Sequence, residues 1–413
     1  MMAVLLTLTA CFAYLNNRWI KLPSSVGVMA AALVFSLGLV ILQTLGVELV
    51  RPAESLVQRV HFDSTLLHGL LGFLLFSGAL SVDFAELRRN ALIVAVLATF
   101  GVALSVVIVG FGTYWALQWV GQPLSWQYCL LFGALISPTD PISVLALLKR
   151  LGAGQGLEAK IAGESLFNDG VGVTLFLLLL PLIGGGAARS SSGIALLLAQ
   201  EMLGGITFGV LAGWLVSRLL RRVDQYTVEI LLTLALVSGG FTLADRLGIS
   251  APLAVVVAGL IVGHHGRRGM SILTRHHLDL FWHLLDEILN AVLFMLIGLE
   301  VLVMHFHQRY LAVIAVLIPI VLLARLISIG IPLGLLRRWW RISPASLGMM
   351  VWGGLRGGLS VAMALSLPIV AERDLLVAAT YGVVVFALLV QGGSLGWIQR
   401  SRWGRQGEGI GDA

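Results

Sequence analysis

The stretch "FGALISPTDPISVLALL", Phe132 to Leu148, is an apolar run interrupted at its centre by Ser137, Pro138, Thr139, Asp140 and Pro141. Proline has no backbone N–H and its ring crowds the preceding turn, so two prolines three residues apart end one helical segment and force a new start. In a soluble chain this would be a loop. Here 58% of the 413 residues are hydrophobic and 12% charged, with a mean hydropathy of +0.96, which lies outside the range of soluble globular domains. The break therefore falls within a membrane span, where freed backbone groups survive only inside protein or against a wet cavity. A second interruption, "GGLRGG" from Gly353 to Gly358, acts through glycine, which weakens a helix interior and permits unusual dihedrals.

Apolar runs able to cross a roughly 30 Å hydrocarbon core, about 20 helical residues each, recur along the whole chain. The expected spans lie near 2–15, 23–45, 64–82, 90–119, 125–148, 159–183, 192–217, 227–245, 249–263, 283–304, 310–335, 344–370 and 374–398. This is an all-α polytopic membrane protein of about 13 transmembrane helices. The first span lacks the basic start and small-residue cleavage site of a secretory signal and is read as a mature helix. Spans five and twelve carry the two breaks and are the fifth members of two six-span halves. With one span between them, the halves run in opposite directions, as in inverted-repeat transporters.

Nineteen of the 27 Lys and Arg fall in the odd-numbered loops and the tail, and six in the even-numbered loops. By the positive-inside rule the N-terminus lies outside and the C-terminus in the cytoplasm, in a cell (inner) membrane. The net charge of +6 is thus a topology signal, and "RRVD", "GRRG" and "RRWWR" are short loop clusters that call for no nucleic-acid partner. Cys11 and Cys129 sit far apart in apolar stretches and suggest neither a disulfide framework nor a metal site. His264, His265, His276, His277, His305 and His307 fall in loops, where solvation is the simpler reading. The glycines at 184–186 suit a flexible external loop.

Three carboxylates near the breaks, Asp140, Glu164 and Asp169, and two arginines, Arg325 and Arg356, stand out within apolar spans. A charge at the bilayer centre costs at least about 2.5–3.5 kcal/mol on insertion scales, so such residues are rare and functional by default. In "GESLFNDGVG", Gly163 to Gly172, Ser165 lies three residues before Asn168 and four before Asp169, so the three can line one cavity. Glu164 and Asp169 are five apart and need not face one point. Arg325 is the natural partner of Glu164, and Arg356 would hold the carbonyl ends of the interrupted span twelve. Asp140 has two open readings, ion contact or balance of the dipoles in span five.

"FGALISPTDPISVLALLKRLG", "LEAKIAGESLFNDGVGVTLF", "LLFSGALSVDFAELRRNALIVAVLATFGV", "GISAPLAVVVAGLIVG", "NAVLFMLIGLE" and "WGGLRGGLSVAMALSLP" together resemble the monovalent cation/proton antiporter family, in its NhaP and eukaryotic NHE branch. The resemblance implies a thirteen-helix fold in which helices five and twelve unwind where they cross. It divides the single domain, 1–413, into dimerising scaffold helices (1–89 and 227–304), a transport core (90–183 and 310–398), a linker helix (192–222) and a short cytoplasmic tail (399–413). Asp169 matches the family's shared carrier of cation or proton, and Asn168 is its partner. Thr139, Asp140 and Ser165 match further ligands of Na+, K+ or Li+, Glu164 and Arg325 match a structural ion pair, and Arg356 matches the Gly-Leu-Arg-Gly arginine. Asn before Asp169 points to one cation per proton. Some archaeal relatives carry an acid where this chain has Ser77, and Asp83 lies too near the cytoplasmic end to replace it.

Physical reasoning supplies the mechanism. A lone ionised carboxylate at low dielectric is penalised, and a proton or a hard monovalent cation relieves the penalty, so the two compete for one group. If the core moves only with the site occupied, competition alone produces antiport. The expected protein is a secondary transporter rather than an enzyme, a homodimer in the lipid bilayer without organic cofactor. A cation channel would need a filter repeat that the chain lacks. An intramembrane aspartyl protease built on Asp140 and Asp169 would leave Ser165, Asn168 and the helix-twelve break without a role.

Overall fold

The computed structural model describes residues 2–22, 24–44, 69–141, 144, 145, 148, 155–183, 191–302, 308–336 and 344–394. Glycines 184–186, His305, His307, the "RRWWR" cluster, the 399–413 tail and the start of the third expected span lie outside the described residues. Among the described residues eight helices are long and apolar enough to cross a membrane, and three shorter ones are also apolar.

In chain order the helices are α1 (Met2–Leu15), α2 (Ser24–Thr44), α3 (Leu71–Ser81), α4 (Ala91–Val120), α5 (Trp126–Ile136), α6 (Gln155–Leu179), α7 (Ser191–Leu220), α8 (Tyr226–Arg246), α9 (Ala251–Ile261), α10 (Ile272–Glu300), α11 (Gln308–Leu335), α12 (Pro344–Trp352), α13 (Gly358–Leu365) and α14 (Arg373–Phe386). Local chemistry sets several ends. Ser250 and Ser271 cap α9 and α10 by accepting from the amides of Leu253 and Thr274, which satisfies donors that have no partner in a first turn. Gly121, at φ 75°, ends α4 in the left-handed region. A π-helical turn, Leu97–Gly101, widens α4 one turn before Ser105.

Packing sorts the helices into two groups. One comprises α4, α5, α6, α11, α12, α13 and α14; the other comprises α1, α2, α3, α8, α9 and α10, with α7 laid along α9. Gly205, Gly209 and Gly213 of α7 recur every fourth residue and receive Ser250, Ala254 and Ala258 of α9, a small-residue contact that lets two backbones approach. The groups meet where α6 packs on α3 and α9, and where α10 packs on α13. Large apolar side chains such as Trp115, Trp119, Leu211 and Leu323 are exposed on the outside, as lipid-facing residues must be.

Candidate functional site

The two breaks meet. After Ile136 the backbone of α5 leaves its helix, and the amide of Asp140 donates to the carbonyl of Leu355, 2.8 Å away in the interruption between α12 and α13. Leu355 turns tightly, its own amide bonding to Gly353 at 2.8 Å. A Cβ on Gly357 would stand 2.8 Å from that of Asp140, and one on Gly354 would stand 2.9 Å from Nη2 of Arg325. Only glycine admits both approaches, which is the physical reason for the Gly353–Gly358 run.

Three carbonyls freed in the α5 break find donors. Ser137 accepts from the Arg356 guanidinium and from Asn168 Nδ2 (3.2 Å), Pro138 from Arg356 (3.2 Å), and Thr139 from the Ser165 hydroxyl. Arg356 therefore serves the end of α5 and not, as the sequence suggested, its own interrupted helix. The cause lies in the prolines. Pro141 lacks the amide that could have closed Ser137 or Pro138, four and three residues before it, and a long guanidinium from the crossing segment reaches them instead. The carbonyl end of α12 is held by the other arginine, with Arg325 Nη2 3.3 Å from the Met350 oxygen.

Glu164 and Arg325 form a two-pronged pair at 2.7 and 2.9 Å, between residues 2% and 7% exposed. Fork-to-fork geometry fixes orientation as well as charge. Asn168, one turn along α6, adds 3.3 Å to Glu164 Oε1 and 3.2 Å to Thr139 Oγ1, so its amide ties the ion pair to the break. Asn168 also lines a small polar cavity with Ser105, Ser137, Glu164, Arg325 and Ser328, on the wall formed by the π turn of α4. Ser165 and Asp169 are not among that cavity's lining residues. Successive helical residues are about 100° apart, which turns Asn168 towards α4 and Asp169 away.

Asp169 is half-buried, and its Oδ1, sealed from the surface, finds no hydrogen-bond partner; Oδ1 of Asn168 is in the same position. The charges bearing on Asp169 are those of Asp140, Glu164 and Arg356. The structure thus brings Thr139, Asp140, Glu164, Ser165, Asn168, Asp169, Arg325 and Arg356 to one crossing. Ser77 is elsewhere engaged, donating 3.0 Å to the Trp282 carbonyl, and Asp83 caps the short helix Phe84–Arg89. Among the described residues the loop histidines do not join the crossing: His264 stacks on Phe84 at 4.3 Å, and the His277 ring lies tilted against Tyr226 at 4.7 Å. Sequence reasoning passed over Asp286 of α10, whose electrostatic neighbours include Asp140. Asp286 shares one face of α10 with Asn290 and Leu293, at intervals of four and three residues.

The pattern of the family described as "Sodium/hydrogen exchanger, transmembrane" matches residues 6–400. The chain belongs to that family. Among relatives of this exchanger, the Na(+)/H(+) antiporter NhaP of Pseudomonas aeruginosa is 46% identical over 406 residues, covering 97% of this chain and 96% of that one. The antiporter NhaH of Halobacillus dabanensis is 35% identical, covering 91% of each. The solved sodium proton antiporter MjNhaP1 of Methanocaldococcus jannaschii superposes with a TM-score of 0.74 over 97% of both chains at 19% identity, and so shares the fold. The exchanger is an integral membrane protein. Neither the channel nor the protease reading draws support from these likenesses.

Proposed function

We propose that this exchanger trades Na+, with K+ and Li+ as alternatives, for H+, and that Asp169 is the single group both ions use. The carrying observation is the sealed, unpartnered Oδ1 of Asp169 at the crossing of two broken helices. The charges there number three carboxylates and two arginines. Glu164 and Arg325 cancel, and Arg356 offsets one further carboxylate. One negative charge is left over, and one proton or one monovalent cation neutralises it. That balance supports an electroneutral, one-for-one cycle. The Asp169 carboxylate, Ser165 and the Asn168 oxygen are hard donors suited to an alkali cation, with Asp140 and Thr139 beside them.

The packing groups give the cycle its moving parts. Residues 90–183 and 310–398 form the transport core, residues 1–89 and 227–304 the scaffold on which two copies dimerise, and 192–222 the linker between two inverted halves. The N-terminus lies outside and the C-terminus in the cytoplasm of a cell (inner) membrane. Asp169→Asn keeps the shape of the side chain and removes its exchangeable charge. In reconstituted vesicles, Na+ added to the wild type should drive proton movement and Na+ added to this variant should not, while both proteins elute as folded species. Wild-type exchange in the variant sinks the assignment.

A further inference from the structure

Both arginines at the crossing have a donor left over. Nε of Arg325 and Nη2 of Arg356 are buried and meet no hydrogen-bond partner, on residues 7% and 2% exposed. An unpaired donor on a buried charge is among the costliest groups a fold can hold, and it calls for an acceptor. The two arginines line one small cavity between α11, α12 and the end of α14, with apolar walls that include Val321 and Phe386. Nε of Arg325 is turned to it, since that atom packs on Gly354, another of the lining residues.

One side chain on this cavity can accept a hydrogen bond, that of Gln391, itself 3% exposed. It sits in a π-helical turn, Ala387–Gly392, that continues α14. Its Nε2 donates 3.2 Å to the carbonyl of Trp352, the last residue of α12. A carbonyl only accepts, so Nε2 must face Trp352, and Oε1 is the atom left to look elsewhere. The turn is pinned as well: Trp352 Nε1 donates to Ser394 Oγ at 3.0 Å, and that hydroxyl donates to the Gln391 carbonyl at 2.9 Å. Two unanswered donors and one acceptor thus border a space with room for a single water, and three polar partners suffice to hold a buried water.

We propose that Gln391 is a positioning residue for exchange: through one water it holds the Nη2 edge of Arg356, so that Nη1 stays on the Ser137 and Pro138 carbonyls and the guanidinium stays off Asp169. A chloride ion would answer the same donors, but it would add negative charge to a crossing that already has more carboxylates than arginines. Water answers them without charge. Arg356 is a cation on a tether, and its charge already bears on Asp169. Released at Nη2, it can swing to that carboxylate and occupy it as Na+ would. The inference rests on Asp169 as the carrier, and the two can fail separately.

Gln391→Met keeps the length of the side chain and removes both polar ends, whereas Gln391→Glu keeps an accepting oxygen and gives up the bond to Trp352. In reconstituted vesicles at fixed pH, Gln391→Met should raise the KM for Na+ about threefold to tenfold, with the rate at saturating Na+ within about twofold of wild type. Gln391→Glu should hold the KM within about twofold of wild type, an outcome that a purely structural tie to Trp352 would not give. High-resolution density of the wild type should show one peak within about 3.2 Å of both Gln391 Oε1 and Arg356 Nη2. That measurement needs no variant and no assumption about Asp169, and it decides the matter where a variant does not fold. Asp169→Asn, run in parallel, judges the carrier alone. An unchanged KM in Gln391→Met, an equal rise in both variants, or a fall in maximal rate with the KM unmoved overturns the proposal. So does an empty cavity, or a peak that takes up bromide in place of chloride.

Discussion

Replacing Glu164 by Gln tests how the crossing is held together. The variant keeps a carbonyl oxygen for Asn168 and loses the charge that faces Arg325. Two charge-assisted hydrogen bonds, at 2.7 and 2.9 Å, become at best one neutral contact, and a guanidinium 7% exposed is left with the Met350 carbonyl at 3.3 Å. Charged hydrogen bonds contribute about 1.5–3 kcal/mol each, and breaking a buried pair by removing one partner costs about 3–5 kcal/mol. Two such bonds sum to about 3–6 kcal/mol, and the range of about 3–5 kcal/mol governs, because the pair's own desolvation already offsets part of its attraction. At 1.4 kcal/mol per decade, that loss lowers the folding equilibrium roughly a hundredfold to several thousandfold. Thermal unfolding of detergent-purified protein, followed by the fraction eluting as a folded species, reads the effect. A cycle with Arg325→Gln and the double variant isolates the pair: the double should recover most of the stability, since no lone charge remains. In Glu164→Gln the folded yield should fall far more than the pH profile of exchange changes, because the Glu164 charge is only one of three bearing on Asp169. A fully stable single variant, or a double variant no better than either single, would refute the structural role.

Two further outcomes follow from the same crossing. Gly357→Ala places a Cβ 2.8 Å from that of Asp140, so exchange should fall roughly 10- to 100-fold in folded protein, whereas Gly330→Ala, with nothing within 4 Å, should leave the rate intact. Comparable rates in the two variants would show that the close approach is not required. Competition at one carboxylate also fixes a sign. As pH falls, protons displace the cation and the apparent KM for Na+ rises, by at most about tenfold per pH unit, while the rate at saturating Na+ changes far less. Initial rates across a matrix of Na+ and pH check this, and a KM indifferent to pH defeats the competition.

The breaks were legible because they are local. Pro138 and Pro141 interrupt a helix in any surroundings, and a Gly-Gly-x-x-Gly-Gly run tolerates close contact in any packing. The partnership of Glu164 with Arg325 was legible for a different reason: few charges lie within the apolar runs, and a buried arginine demands an acid. What lay beyond reach depends on helix rotation and on side chains reaching between elements. Nothing in the chain said that Arg356 would grasp the carbonyls of Ser137 and Pro138 while Arg325 took that of Met350. Nor could local sequence assign the hydroxyl of Ser77 to the Trp282 carbonyl, a contact between α3 and α10 set by tertiary packing. Asp286 was hidden by its place near the start of an apolar run, and only the contacts of Leu293 and Ile297 reveal the face it shares.

The grasp of Arg356 on Ser137 and Pro138 bears on leakage. Bare peptide oxygens at the end of a helix would be an attractive resting place for any alkali ion, at any acidity, with no deprotonation required. A permanently attached guanidinium already sits there and cannot diffuse away, so on the proposed assignment of Asp169 a visiting ion is left with the one oxygen set whose availability depends on giving up H+. On that proposal, downhill slippage of sodium uncoupled from protons would be closed off by a side chain that is never itself transported.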